Sequence, residues 1–227
     1  MLTNQQIAEI VQDNFRSGSF VNMKSLSHEN YLGGIQRRAE LFFKAQEENE
    51  KYAALEIGVF RGDTSLLWMD LMLQNKTLSP LLTVDVHLCS GYQNYYLETM
   101  DILTKKAKEL SAFAGRQYLW RHYPVLDTTF MNGIYPNLPE MFKQYFFINL
   151  DGPHDEPSVA VEIAFFYDKL VSGGVMVIDD MALTQPPGNL AKELAEKNGD
   201  TVEWIFNGFT LKKKGMNDVV EEKLGFS

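Results

Sequence analysis

The pattern of apolar positions changes near residue 52 of the chain. Before that point, apolar residues recur at the spacing of one helical face within residues 33–52, which predicts an amphipathic helix there. The positions on this face are Ile35, Ala39, Phe42 and Phe43. We therefore predict that residues 1–50 form an N-terminal helical extension or lid on a domain that spans residues 51–227.

After residue 52, short apolar runs that end at turn residues alternate with segments of helical periodicity. Uninterrupted apolar runs of this length are typical of strands buried on both faces of a parallel sheet. Strands are predicted at residues 53–57, 81–86, 117–121, 145–150 and 174–178, and helices at residues 63–73, 95–110, 158–170 and 189–197. This alternation predicts a parallel sheet with helices on both of its faces.

The end of the chain follows a different pattern. Residues 201–206 and 209–213 flank Asn207-Gly208, a dipeptide that strongly favours a two-residue β-hairpin. The predicted fold class is therefore α/β, a Rossmann-like three-layer sandwich. Its mainly parallel, seven-stranded sheet would be completed by an antiparallel C-terminal hairpin.

Composition narrows the classes of partner. The formal net charge of −9 argues against binding to nucleic acid, since phosphate contacts need a basic face. No apolar run reaches the roughly 20 residues that span a bilayer, and the N-terminus lacks the pattern of a signal peptide. The single cysteine, Cys89, excludes an internal disulfide and favours the cytoplasm. We expect a small-molecule partner, and a homo-oligomer is left open.

A glycine turn follows the first predicted strand. In LEIGVFRGDTS, Gly58 and Gly62 lie between a buried strand and a helix, where backbone N–H groups can approach a ligand closely. Asp85 ends the second strand, a position from which a carboxylate can accept hydrogen bonds from ribose hydroxyls. Together these residues predict a nucleoside-containing cofactor.

Four segments, LEIGVFRGDTS, LLTVDVH, FFINLDGPHDEP and SGGVMVIDDM, together resemble the class I S-adenosylmethionine-dependent methyltransferases. Within that class the resemblance is to metal-dependent O-methyltransferases of the catechol type and the sugar and macrolide type, and it covers residues 52–214. It implies that Glu56, Gly58 and Thr64 hold the methionine end of the cofactor and that Asp85 holds the ribose. Gly62 and Asp151 complete the predicted cofactor site.

Two other interpretations of the glycine turn stay open. A nicotinamide enzyme could use the same cleft, although the third glycine of Gly-x-Gly-x-x-Gly is missing. Alternatively, Glu56 and Asp63 could only neutralise a turn and cap a helix.

Three carboxylates are predicted to meet at the edge of the sheet. Asp151 ends one strand and Asp179-Asp180 ends the next, and adjacent strands lie about 4.8 Å apart. Their repulsion must be offset by protons, a basic side chain or a cation, and neither motif contains lysine or arginine. An all-oxygen set selects a hard ion such as Mg²⁺.

The resemblance also implies a metal at these three positions, because its metal-dependent members carry an acid after the fourth strand and an acid pair after the fifth. Asp151, Asp179 and Asp180 are the predicted ligands. The alternative is that Asp151 caps a turn and that the acid pair is solvated.

His154 lies three residues after Asp151, where the resembling enzymes often place a general base. An imidazole, with an unperturbed pKa of about 6.5, can take the proton that a hydroxyl loses as it attacks a methyl group. Metal ligation and a plain loop position are the alternatives for this residue.

These observations predict transfer of a methyl group to a hydroxyl of a small molecule, assisted by a divalent cation. The rival functions are a nicotinamide-dependent oxidoreductase and a non-catalytic protein that binds S-adenosylmethionine.

Overall fold

A computed structural model describes residues 5, 6, 9, 28–76, 78–86, 93–115 and 117–215. Of the predicted extension or lid at residues 1–50, most residues before 28 lie outside the described residues, and so does Cys89. No helix in the described part of the chain is long and apolar enough to cross a membrane.

The main helices and strands alternate along the described chain. The helices are α1 (His28–Glu48), α2 (Asp63–Asn75), α3 (Gln93–Ala114), α4 (Glu156–Tyr167) and α5 (Pro186–Asn198). The strands are β1 (Ala53–Ile57), β2 (Leu81–Val84), β3 (Trp120–Tyr123), β4 (Tyr145–Leu150), β5 (Leu170–Asp179), β6 (Thr201–Ile205) and β7 (Gly208–Lys212). Short helical turns occupy residues 127–142 between β3 and β4.

The strands form one seven-stranded sheet in the order β3-β2-β1-β4-β5-β7-β6. Strands β1 to β5 pair in parallel, and β7 runs antiparallel to both β5 and β6. The predicted Rossmann-like fold with an antiparallel C-terminal hairpin is therefore confirmed. Because β1 and β4 are central neighbours, the loops that leave them meet at the same edge of the sheet.

Helix α1 packs on the sheet through the apolar face that the sequence predicts. Phe42 is fully buried and stacks on Trp68 of α2, with ring centroids 4.9 Å apart and planes at 10°. Phe147 of β4 completes this aromatic cluster, 5.0 Å from Phe42 between ring centroids. Helices α4 and α5 contribute to a second apolar cluster, on the opposite face of the sheet. The side chains of α1 are thus held in a fixed relation to the strand ends.

Several predicted boundaries are wrong, among them those of the third strand, which is predicted at residues 117–121 and lies at Trp120–Tyr123. The helix predicted at residues 158–170 ends at Tyr167, and Leu170 instead begins β5. The hairpin turn consists of Phe206 and Asn207, because Gly208 is already paired as the first residue of β7. A Cβ atom on Gly208 would lie 2.1 Å from the carbonyl oxygen of Ile178, so glycine is required there for the approach to β5, and Asn207 adopts the left-handed conformation (φ 63°).

Glu162 generates a prediction about stability. This α4 residue is fully buried beside Asp127, and neither carboxyl oxygen forms a hydrogen bond of ordinary geometry within the described structure. Burial, together with the charges of Asp127 and Asp155, raises its pKa from 4.5 to about 9. Because the folded-state pKa lies above the unfolded value, the contribution of Glu162 to stability is full below pH 4.5 and is lost as the pH rises towards 9.

We expect Glu162→Gln to raise the free energy of unfolding at pH 8 by about 1–3 kcal/mol and to flatten its dependence on pH. Denaturant titrations between about pH 5 and pH 9 measure both effects. The exposed Glu193→Gln is the matched control. Parallel pH profiles for the native protein and Glu162→Gln would contradict this prediction.

Candidate active site at the carboxyl ends of the strands

The loop after β1 lies directly against the end of β4. Gly58 has a φ of 86°, and a Cβ atom there would lie 1.9 Å from the carbonyl oxygen of Asp151. The backbone N–H of Asp151 donates to the carbonyl of Ile57 (2.8 Å), and that of Gly58 donates to the carbonyl of Val84 (2.8 Å). The predicted cofactor turn and the predicted acid cluster are therefore in direct backbone contact.

Asp85 holds the backbone of the same loop. One carboxylate oxygen accepts hydrogen bonds from the backbone N–H groups of Val59 (2.7 Å) and Phe60 (2.6 Å). Phe60 adopts the left-handed conformation (φ 47°) with its side chain exposed, which is unusual for an aromatic residue. The charge of Asp85 stabilises a turn whose N–H groups converge on it.

The other predicted cofactor residues surround this turn. Gly62 has a φ of 84° and directly precedes α2, and a Cβ atom there would lie 2.9 Å from the methyl carbon of Thr99. Thr64, in the first turn of α2, is partly exposed. The structure thus brings Gly58, Gly62, Thr64 and Asp85 to one side of the carboxyl edge.

Glu56 is a fully buried carboxyl group beneath the loop. The hydroxyl of Ser65 donates to its Oε2, whereas Oε1 has no hydrogen-bond partner among the described residues. Burial is the main cause that raises the pKa of Glu56 to about 8, and the nearby charges of Asp151 and Asp85 add to it. The unfilled acceptor atom fits a ligand that brings a hydrogen-bond donor or a positive charge.

Asn149 is a further buried polar residue that the sequence analysis missed. It faces Glu56 in the register of β1 and β4 and lowers the pKa of that carboxyl group, although neither polar atom of its side chain forms a hydrogen bond of ordinary geometry in the described part of the chain. Its signal in the sequence is a lone polar residue within the apolar run of β4. The space beneath the loop therefore has both donor and acceptor atoms to offer.

The three predicted acids do come together at the strand ends. The pKa of the Asp151 carboxyl is raised well above its ordinary value by burial and by the charges of Asp179 and Asp180, and the charge of Arg38 opposes this rise. Both oxygens of Asp179 accept hydrogen bonds from the guanidinium of Arg38, with N–O distances of 3.1 and 2.5 Å.

Arg38 of α1 is the basic partner that the two acid motifs lack. Of the three ways to offset the repulsion that the sequence leaves open, the fold supplies a basic side chain, because α1 packs across the end of β5. The sequence did carry a signal: Arg38 lies three residues after Ile35 and four before Phe42, on the apolar face of the helix.

Asp180 and His154 form a second pair at the same edge. The His154 Nδ1 atom lies 3.0 Å from one Asp180 carboxylate oxygen, and the side-chain amide of Asn207 donates to the other. Asp180 is left-handed (φ 55°), and its backbone N–H donates to the carbonyl of Asn207 (2.7 Å). The hairpin turn thereby fixes Asp180, a role for Asn207 that the sequence analysis missed.

In the part of the chain that the structure describes, no three histidine, cysteine, aspartate or glutamate side chains are arranged to hold a metal ion. The carboxylate donors are of the type that a hard ion prefers. The residue types therefore fit the predicted ion, whereas Asp179 in this conformation is bound to a guanidinium instead.

A cavity of about 1000 Å³ opens beside the pair formed by Asp180 and His154. Its walls come from α1, the loop after β5 and the C-terminal hairpin. The lining residues include Gly34, Arg37, Asp180, Gln185, Trp204 and Phe206. Trp204 is 65% exposed on the edge strand β6, which makes it an open aromatic surface in this wall.

Comparison with solved structures identifies the fold. The O-methyltransferase NovP superposes with a TM-score of 0.59 at 14% identity, over 93% of this chain and 98% of that one. CalS11, a TDP-rhamnose 3'-O-methyltransferase of calicheamicin biosynthesis, gives 0.58 at 11% identity, over 93% and 96%. The MycE methyltransferase, solved in complex with Mg and SAH, gives 0.55 at 15% identity, over 93% of this chain but 55% of that one.

At these identities the likeness establishes the fold. A comparison with curated protein sequences found no match. A family model described as a methyltransferase domain matches residues 55–181, more than half of the chain, from β1 to the end of β5. This match contains the loop after β1, Asp85 and the acid cluster, and the chain belongs to this methyltransferase family.

Proposed function

We propose that this methyltransferase takes its methyl group from S-adenosylmethionine and transfers it to a hydroxyl of a small molecule. The observation that carries the proposal is the contact of Gly58 with the backbone of Asp151, which brings the cofactor turn and the acid cluster to one edge of the sheet. The adjoining cavity offers room for an acceptor. The single cysteine favours a cytoplasmic setting, and the net charge of −9 argues against nucleic acid as the acceptor.

Different residues of the proposed cofactor site would bind different parts of S-adenosylmethionine. Glu56, Gly58 and Thr64 would hold the methionine end, with the unfilled Oε1 of Glu56 as an acceptor for the ammonium group. Asp85 would hold the ribose while keeping the loop amides in place. When bound, S-adenosylmethionine supplies a methyl group activated by a positively charged sulfur.

His154 is the proposed general base. Asp180 beside Nδ1 fixes the ring orientation and favours the proton on that nitrogen, which leaves Nε2 to accept the proton of the acceptor hydroxyl. The histidine side chain is 53% exposed, and its partner Asp180 lines the cavity, so the acceptor is proposed to bind beside this pair.

A divalent cation such as Mg²⁺ is the proposed second cofactor. Asp151, Asp179 and Asp180 would hold it, and an ion there would lower the pKa of a hydroxyl that binds to it. The MycE structure contains Mg, which supports this assignment at the level of the shared fold.

The cofactor assignment predicts the behaviour of two Asp85 variants. Asp85→Ala removes the acceptor of the two loop amides, so affinity for S-adenosylhomocysteine should fall by about 1–3 kcal/mol. Asp85→Asn keeps a neutral acceptor and should lose less. Calorimetry measures both, with Asp101→Ala, an exposed acid on α3, as the control. Binding of NAD in place of S-adenosylhomocysteine would overturn the assignment.

The assignment of His154 as the base predicts a loss of methyl-transfer rate that added imidazole can partly restore. His154→Ala should lower methyl transfer by about 10²–10⁴-fold and leave S-adenosylhomocysteine affinity unchanged. The assay uses methyl-labelled S-adenosylmethionine with a panel of catechols and free or glycosidic sugars.

Added imidazole should restore part of the lost rate, because the side chain it replaces is half exposed. Asp155→Ala, which removes the neighbouring helix cap, is the control and should not respond to imidazole. Full activity in His154→Ala would show that the base lies elsewhere.

A further inference from the structure

The ion pair between Arg38 and Asp179 joins two distant parts of the chain. The residues are 141 positions apart, and their side chains are 11% and 14% exposed, so the pair is largely shielded from water. A guanidinium that binds both oxygens of one carboxylate forms one of the stronger polar contacts in proteins. This pair ties α1 to the end of β5.

The guanidinium of Arg38 binds the carboxylate of Asp179, which a divalent ion would need as a ligand. Asp179 is the middle residue of the three proposed ligands, and both of its oxygens are engaged by the guanidinium. The charge of Arg38 also acts on Asp151, where it opposes the effect of Asp179 and Asp180. The guanidinium therefore supplies the positive charge that this acid cluster requires.

We propose that Arg38 and a divalent cation compete for Asp179, so that the ion binds only when the guanidinium leaves. The inference rests on the proposed function in one respect, namely that the ion uses this cluster. Two cations at one carboxylate repel each other, and a bound ion needs the oxygen atoms at about 2.0–2.6 Å. Arg38 accordingly lowers the affinity for the ion and links ion binding to α1, which also lines the cavity.

Calorimetric titration of the full chain with Mn²⁺ and with Mg²⁺ tests the competition. Arg38→Gln should bind Mn²⁺ about tenfold or more tightly than the native protein, the usual size of coupling between two sites. The matched control is Arg121→Gln, the same change on β3 at the far side of the sheet, where the guanidinium lies 4.7 Å from the ring centroid of Phe142. Its Mn²⁺ affinity should equal that of the native protein.

A double variant locates the ion. Adding Asp179→Asn to Arg38→Gln should abolish the gained affinity, because the contested ligand loses its charge. Arg38→Gln should also have a lower Tm than the native protein in a chelator and regain it with Mn²⁺. Should Arg38→Gln fail to fold, Arg38→Lys tests the competition instead. Lysine keeps the charge but cannot bind both carboxylate oxygens as the guanidinium does, so the Mn²⁺ affinity of this variant should exceed that of the native protein.

Equal Mn²⁺ affinity in the native protein and the Arg38 variants, or no Mn²⁺ binding in any of them, would overturn the competition. Titration of the same samples with S-adenosylhomocysteine separates this outcome from failure of the proposed function. Samples that bind S-adenosylhomocysteine but show no competition would contradict the role of Arg38 alone. Samples that do not bind it would contradict the proposed function itself.

Discussion

The crowding of carboxyl groups at one edge of the sheet is the constraint on which the site depends. The strands and their loops bring together Glu56, Asp85, Asp151, Asp179 and Asp180. Like charges this close destabilise one another unless each finds a partner or a proton. Each of three carboxylates accepts hydrogen bonds from a different group. Loop amides donate to Asp85, the guanidinium of Arg38 donates to Asp179, and the side-chain amide of Asn207 donates to Asp180. Groups that neutralise charge are thus also the groups that shape the site.

Asp151 connects the two halves of this edge. Its carbonyl lies so close to Gly58 that no side chain fits between them, and its carboxyl group responds to the charges of Asp179 and Asp180. A change in the position of the loop after β1 would therefore move the backbone that carries part of the acid cluster. The loop after β1 and the acid cluster form a single arrangement, because the parallel pairing of β1 with β4 fixes the distance between them.

The sequence predicts the sheet and the places of the acids, but it misses most of their partners. Buried strands such as β1 and β4 can be predicted because an uninterrupted apolar run indicates local burial. The positions of the acids follow because the carboxyl ends of neighbouring parallel strands lie at the same edge of the sheet. Arg38 and Asn207 escape such reasoning, because a helix 141 residues before Asp179 and a turn 27 residues after Asp180 reach the site only through tertiary packing. The hairpin turn is misplaced by one residue for a similar reason: the need for glycine at position 208 comes from β5, which is not its neighbour in sequence.

Asp180 sets a limit on how a hydroxyl could be activated in this site. Its two carboxylate oxygens are engaged by different groups, one by the imidazole of His154 and the other by the amide of Asn207. An ion on either oxygen would share that oxygen with the histidine or with the Asn207 amide and weaken the existing contact. Arg38, by contrast, engages Asp179 and leaves the contact between Asp180 and His154 intact. His154 therefore keeps its full contact with Asp180 when the guanidinium of Arg38 is in place. Activation of a hydroxyl by a base and its activation by an ion would both depend on the Asp180 side chain.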